Sequence, residues 1–389
     1  MPEPRVRDEA GRQPEPARGP AALSDRLPAG WLLPLIAFGA AWGLLLAAWQ
    51  VANAIAGTSW PWVRYFQFAD GSTYNWITVN GYPGRHGIPP TAARAAFFPV
   101  MPLLAKTVGD MTNHDYLPAE IIVQVVMGAV SAVAVWALVA HFAGRRIADR
   151  AALLYVAFPG AMTLGLYYPE PMGNALAALC LLAVLNRKWL LSGLLALFAS
   201  AVHPSLIILT PVLAVMAVRA IRREREWAAL IAPALAPLGM AWYFALLAGD
   251  EHSFWFWFDD QAGGWRQRAD WIGHEARVLT WTDPGTRSHP LFNVLVIVTA
   301  VVLVAGIVAM VKARVPLPVS LYTVLAALSL VMATAPGPTP RLAWTALGIF
   351  PGLAARLPSW AFWAALTACA LLLAFLYGWW PHQAVPPVP

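Results

Sequence analysis

The sequence predicts an all-α integral membrane protein, a polytopic helical bundle, and three observations predict it. Of 389 residues, 59% are hydrophobic and 12% charged, against about 45–50% and 25% in soluble domains. The apolar residues come in blocks, many approaching or exceeding the roughly 18–20 residues that cross a ~30 Å hydrocarbon core. The blocks also lack the charged face that a helix in a soluble bundle turns to water.

Each element follows in order. Residues 1–28 mix Arg, Asp, Glu and Pro. They lack the layout of a cleaved signal peptide and have the composition of a disordered segment, which we expect to be a cytoplasmic tail. The first apolar run, WLLPLIAFGAAWGLLLAAWQVANAIAG, covers residues 31–57. A polar, aromatic stretch follows to about residue 116. Further runs cover 117–143, 151–168, 172–186, 189–203, 204–221, 227–248, 290–311, 316–335, 342–355 and 358–380. Together they predict about eleven crossings within a transmembrane domain over 29–380, with a hairpin of two short segments as the alternative in 172–221. Residues 381–389 are expected as a short outer tail.

With the N-terminus in the cytoplasm, the inner loops carry Arg145, Arg146 and Arg150; Arg187 and Lys188; Arg219, Arg222, Arg223 and Arg225; Lys312 and Arg314; and Arg356. Every such loop is short and basic, as the positive-inside rule requires. The net charge of +6 is thereby explained without a nucleic-acid partner. Lysine occurs only at Lys106, Lys188 and Lys312; with the abundant alanine, this suggests a GC-rich bacterial gene and a plasma-membrane protein. The long outer segments, 58–116 and 249–289, hold TSWPWVRYFQF, AARAAFFPVMPLLAK and SFWFWFDDQAGGW. These read as interfacial helices, with Arg94 and Lys106 at headgroups and Phe97, Phe98 and Leu103 in lipid.

Several chemistries have no support. The chain has no Walker loop, no GxGxxG after a strand and no HExxH. His252 and His274 share an outer loop without zinc spacing. Cys180 and Cys369 lie in apolar blocks and build neither a disulfide framework nor a metal site. What stands out is FADGSTYNWITVNGY, residues 68–82, which places a lone carboxylate, Asp70, where chain leaves the bilayer.

Asp70-Gly71-Ser72-Thr73-Tyr74, Ile77 and Gly81-Tyr82 resemble the aspartate-centred first-loop motif of the PIG-V-like mannosyltransferases. These belong to the GT-C class of polytopic glycosyltransferases. Ala96-Phe97-Phe98-Pro99 with Pro102-Leu103-Leu104 is similar to the family's Phe-Phe-Pro block, and Tyr167-Tyr168-Pro169-Glu170-Pro171 to its Tyr-Ser-Glu-Ser segment. Residues 187–194, RKWLLSGL, resemble its Arg-Trp-Leu-Leu-Ala-Gly-Leu run, and Ala199-Ser200-Ala201-Val202-His203-Pro204 its Ala-Ser-Ala-Thr-Arg-Pro block. Gln261 and Trp265 are similar to its outer Gln…Trp segment, and Arg341 with Phe350-Pro351 to its late Arg…Phe-Pro stretch. The matches keep their order over residues 60–355. Ala69 stands where the family has Trp, and His203 where it has Arg.

The resemblance implies sugar transfer from a polyprenyl phosphate donor to a lipid-linked or glycan acceptor at the outer leaflet, with inversion. A single displacement needs one general base, unlike the paired carboxylates of retaining glycosidases. Asp70 is the candidate base, and a cap for a helix starting at Ser72 or Thr73 is its structural alternative. Arg341 is the leading candidate to stabilise the departing phosphate, followed by His203, Arg94 and Arg266. Glu170 is a candidate to position the acceptor or assist the base, or is a solvated turn acid. Tyr74 and Trp265 could stack on sugar or pack at the interface. Asp259 and Asp260 read as solvated loop acids. No divalent cation is required, and Mg²⁺ or Mn²⁺ stays open. A transporter or flippase of lipid-linked sugars and a non-catalytic family member are the competing readings.

Overall fold

The computed structural model describes residues 30–82, 94–251, 253–264, 290–332 and 339–382. Every regular element among them is helical. In chain order the α-helices are α1 (Leu32–Ala56), α2 (Trp62–Phe66), α3 (Asp70–Asn80), α4 (Val100–Asp110), α5 (Tyr116–Ala143) and α6 (Arg145–Ala157). Next come α7 (Glu170–Leu185), α8 (Trp189–Val202), α9 (Leu209–Glu224), α10 (Ile231–Leu235), α11 (Leu238–Glu251) and α12 (Phe256–Gly264). Five more follow: α13 (Pro290–Lys312), α14 (Leu317–Val331), α15 (Pro340–Ala343), α16 (Ile349–Arg356) and α17 (Ser359–Trp379). The tails 1–28 and 383–389 lie outside the described residues, as do Trp265 and Arg266.

Among the described residues, six helical segments are long and apolar enough to cross a membrane: Leu32–Ala56, Tyr116–Ala143, Pro204–Glu224, Trp227–Gly249, Leu291–Lys312 and Ser359–His382. A seventh is a bent pair, Arg145–Ala157 with Pro159–Gly165, which turns by 72°. The bend falls where Phe158 takes an extended conformation (φ −58°, ψ 142°) before Pro159, because proline disfavours helix in the residue before it. Helices α7, α8 and α14 are apolar but shorter. The protein is thus a multi-pass membrane protein with six or seven candidate spans, against the eleven crossings expected.

The run at 342–355 shows why the counts differ. It forms two short helices, and Trp344, Ala346, Leu347, Ile349 and Phe350 are buried inside the protein. This run is apolar because protein encloses it. By contrast, Val294, Val298, Val301, Val304, Val308 and Val311 are exposed along α13. Their three- and four-residue spacing makes one continuous apolar face, as a lipid-facing helix requires.

Helix α5 packs against α4, α6 and α7, and α1 lies across α5, α6 and α17. The two ends of the bundle differ. Gly30, just before α1, backs onto the Arg145 side chain, and Arg150 stands over the Phe362 ring near the start of α17. At the other end of α1 and α17, Trp49 Nε1 and Asn53 Nδ2 donate to the Trp60 carbonyl. There His382 stacks on Trp60 with ring centroids 4.4 Å apart. The Arg145–Arg150 turn therefore lies at the opposite end of the bundle from the segment that leads into Asp70. His382, expected in an outer tail, is packed into this second end.

The first long loop corrects another expectation. Phe97 and Phe98, assigned to lipid, are 6% and 0% exposed. Phe97 meets the Tyr74 ring edge-to-face at 4.9 Å, and Phe98 packs on Tyr243 at 4.8 Å. Leu103 is exposed, whereas Lys106 bonds to Asp110 and Tyr116. Asp260, read as solvated, accepts the Ala96 N–H at 3.1 Å, which ties α12 to this loop; Asp259 is exposed. The aromatic density read as interfacial thus also seals a cluster in which Ala95, Phe98, Tyr243, Phe244 and Leu247 are buried.

One close approach positions the segment that carries Arg341. A Cβ added at Gly160 would collide with the Pro340 carbonyl and the Trp344 side chain. Gly160→Ala is expected to push α15 away and to lower stability by about 1–3 kcal/mol, the usual range for overpacking. Thermal unfolding of the purified protein in detergent checks this.

Candidate active site

The site starts with a strained residue. Ala69 has φ 50° and ψ −119°, a region that favours glycine and costs other residues about 1–3 kcal/mol. Its neighbours hold it there. The Ser72 N–H and hydroxyl both donate to the Ala69 carbonyl, at 3.0 and 2.7 Å. The Asp70 N–H donates to the Tyr168 hydroxyl at 3.1 Å, and Gly71 lies against the Phe66 and Tyr167 carbonyls with no room to spare for a Cβ. The turn delivers Asp70 as the first residue of α3. Ala69 is the N-cap and Asp70 already lies inside the helix, so Asp70 does not cap a helix starting at Ser72 or Thr73.

The Asp70 side chain instead meets Arg341. The Arg341 Nη1–H donates to Asp70 Oδ2 at 2.6 Å, and Arg341 Nε lies 3.2 Å from Glu170 Oε1. The guanidinium thus bridges two acids brought from 271 and 171 residues away in sequence. Side-chain exposure is 20% for Asp70, 10% for Arg341 and 3% for Glu170. Asp70 is the member of the trio that opens most to its surroundings. Glu170, the first residue of α7, is buried and not a solvated turn acid. Its Oε2 and Arg341 Nε are buried without hydrogen-bond partners.

Two tyrosines wall the cluster. The Tyr168 ring lies 5.0 Å from the Arg341 guanidinium carbon. Burial, followed by the Asp70 charge, pushes its phenol well above the usual range. Burial pushes the Tyr74 phenol up as well, with Glu170 and Asp70 adding to the effect. Both hydroxyls stay protonated and polar beside the acids. Tyr74 is only 4% exposed, with its ring edge-to-face against Phe97 and Tyr167. It shapes the wall and does not offer an open face to a sugar.

The other expected site residues divide. His203 is near enough to Arg341 for its charge to matter, but burial first and that charge second depress the imidazole pKa. Its Nδ1 accepts the Ser205 N–H at 3.3 Å. The depressed pKa favours the neutral ring, which sets the half-buried His203 apart from Arg341 as a candidate cation. Arg94 lies flat over the Trp76 ring at 3.3 Å, about two turns along α3 from Asp70. Gln261 is on α12, half-buried, on the helix that Asp260 ties to the first loop.

Sequence reasoning missed Glu120. It is fully buried near the start of α5 and accepts from Gln67 Nε2 and Asn75 Nδ2, both at 2.9 Å. These residues flank Asp70 in sequence, so Glu120 fixes both sides of the strained turn to a long helix. An ionisable residue inside an apolar run was the available signal. Among the described residues, no group of three or more His, Cys, Asp or Glu could hold a metal ion.

No family model and no curated protein matches the chain. Among solved structures it is similar to ArnT from Cupriavidus metallidurans, determined with undecaprenyl phosphate bound. The TM-score is 0.51 at 14% identity, over 87% of this chain and 63% of that one. It also matches the Archaeoglobus fulgidus oligosaccharyltransferase carrying a tethered acceptor peptide. That TM-score is 0.43 at 13% identity, over 90% of this chain and 56% of that one. The chain thus spans less than two thirds of either protein. The fold is that of an all-helical, polytopic membrane protein similar to ArnT.

Proposed function

We propose that this protein is a PIG-V-like membrane glycosyltransferase. It moves mannose or a related sugar from a polyprenyl phosphate to a lipid-linked or glycan acceptor at the extracytoplasmic face, with inversion. The observation that carries the reading is the Arg341 fork between Asp70 and Glu170. It puts an acid that can serve as base beside a guanidinium that can hold a phosphate. The ordered motifs over residues 60–355 support it, as does the GT-C-like fold. The undecaprenyl phosphate bound to ArnT supports the donor class.

In this reading the acceptor hydroxyl gives its proton to Asp70 as its oxygen bonds to the sugar C1. The bond from C1 to the phosphate oxygen breaks on the opposite face. Both electrons leave with the polyprenyl phosphate, and Arg341 stabilises its growing charge. Glu170 Oε2, buried without a hydrogen-bond partner, suits a sugar hydroxyl. The basic turn at Arg145–Arg150, at the opposite end of the bundle, supports an extracytoplasmic site by the positive-inside rule.

Purified protein in proteoliposomes with synthetic polyprenyl phosphomannose and membrane glycolipid acceptors tests the reading. Formation of a new glycosidic bond supports it. Movement of the donor across the bilayer without bond formation refutes it. The neutral state of His203 adds a pH prediction. A ring whose pKa is lowered to about 3 by desolvation and the Arg341 charge is uncharged throughout pH 6–8. His203→Asn is therefore expected to leave the shape of the pH–rate profile unchanged in that interval. A limb near pH 6.5 that vanishes in the variant would show a cationic imidazole instead.

A further inference from the structure

The basic end of the bundle carries a second candidate site. A groove of about 610 Å³ opens between the first turns of α6 and α17, lined by Arg145, Arg146, Asp149, Arg150, Ser359 and Phe362, with Trp363 at its edge. Three guanidinium groups face one carboxylate, and that carboxylate is partly committed, since Asp149 Oδ1 accepts the Trp136 indole N–H at 2.7 Å. Arg145 reaches Asp149 Oδ2 only at 3.6 Å.

Arg150 is held in place. Its Nη2 donates to the Leu357 carbonyl at 2.7 Å, and its guanidinium lies 4.2 Å from the Phe362 ring centroid. Arg146 stands one turn away on the same helix, so two like charges at i and i+4 repel. An anion between them would remove that repulsion. Trp363, which lines the groove, is 58% exposed, and Trp360, next to Ser359 in sequence, is 76% exposed. Exposed tryptophan of this kind marks a membrane–water interface.

Net positive charge, a preorganised guanidinium and an exposed tryptophan in the lining together fit an anionic phospholipid. We propose that this groove binds the phosphodiester headgroup of an anionic phospholipid, with Arg145, Arg146 and Arg150 as its ligands and the acyl chains passing outside Trp363. The proposal does not depend on the glycosyltransferase reading, because it concerns the opposite end of the molecule.

The test uses the full chain in mixed micelles, with lipid retention read by native mass spectrometry and unfolding by a thermal scan. Wild-type protein is expected to retain phosphatidylglycerol in preference to phosphatidylcholine, and to unfold at higher temperature with it. Arg145→Gln with Arg146→Gln, both exposed positions, should weaken that retention by about tenfold or more, given the contribution of each basic residue at an anionic surface. Lys312→Gln with Arg314→Gln removes the same charge from another turn and should leave retention near wild type. The proposal fails if the two double variants behave alike, since the effect would then be general charge. It also fails if inorganic phosphate protects as well as the lipid, or if phosphatidylcholine is retained equally.

Discussion

Asp70→Asn is expected to lower sugar transfer by about 10²–10⁴-fold, the usual contribution of a positioned general base, while the protein stays folded. Asparagine has the shape of aspartate and keeps an oxygen that can accept the Arg341 N–H, now 2.6 Å from Asp70 Oδ2. It cannot take a proton from an alcohol. The turn around it is held by backbone contacts, including the Asp70 N–H to the Tyr168 hydroxyl, and these do not involve the carboxylate. The loss should therefore fall on kcat. Donor affinity should hold or improve, because Arg341 is then shared with one acid fewer. Turnover assays in proteoliposomes, paired with a thermal scan, separate the outcomes. Near wild-type turnover in a folded Asp70→Asn protein would remove Asp70 from the chemistry.

Arg341→Gln should have the largest combined effect. Breaking a buried pair by deleting one partner typically costs about 3–5 kcal/mol, because the other charge is left uncompensated. Here two acids lose their cation together. Arg341→Lys keeps the charge but not the planar fork that reaches Asp70 and Glu170 at once. It should regain part of the stability and little of the activity. Adding Glu170→Gln to Arg341→Gln removes one of the stranded acids, so stability should recover in part while transfer stays lost. This pattern in a double-mutant cycle distinguishes a cation that serves both fold and phosphate from one that serves the fold alone. Full activity in a folded Arg341→Gln protein would refute the assignment to phosphate.

Much of the fold was legible because a bilayer imposes lengths. The runs that became α1, α5, α13 and α17 were set by their apolar extent. The run at 342–355 was misread because burial in protein and burial in lipid demand the same residues. Phe97 and Phe98 were misplaced for the same reason. In the site, Asp70, Glu170 and Arg341 stood out as ionisable groups at the ends of apolar runs, but nothing in their spacing tells that one guanidinium bridges the other two. His203 looked like a cation because a sequence does not show that the ring sits half-buried near Arg341. Glu120 was hidden inside a run read only for its length, and its partners Gln67 and Asn75 lie in a loop read for its aromatics.

The fork at Arg341 also has a bearing on how the chain is made. Translation delivers Asp70 and Glu170 long before their shared counter-ion, so a nascent chain halted before residue 341 would hold two orphan acids against greasy helices. Only the last 49 residues, from Arg341 onward, bring the positive charge that both acids need.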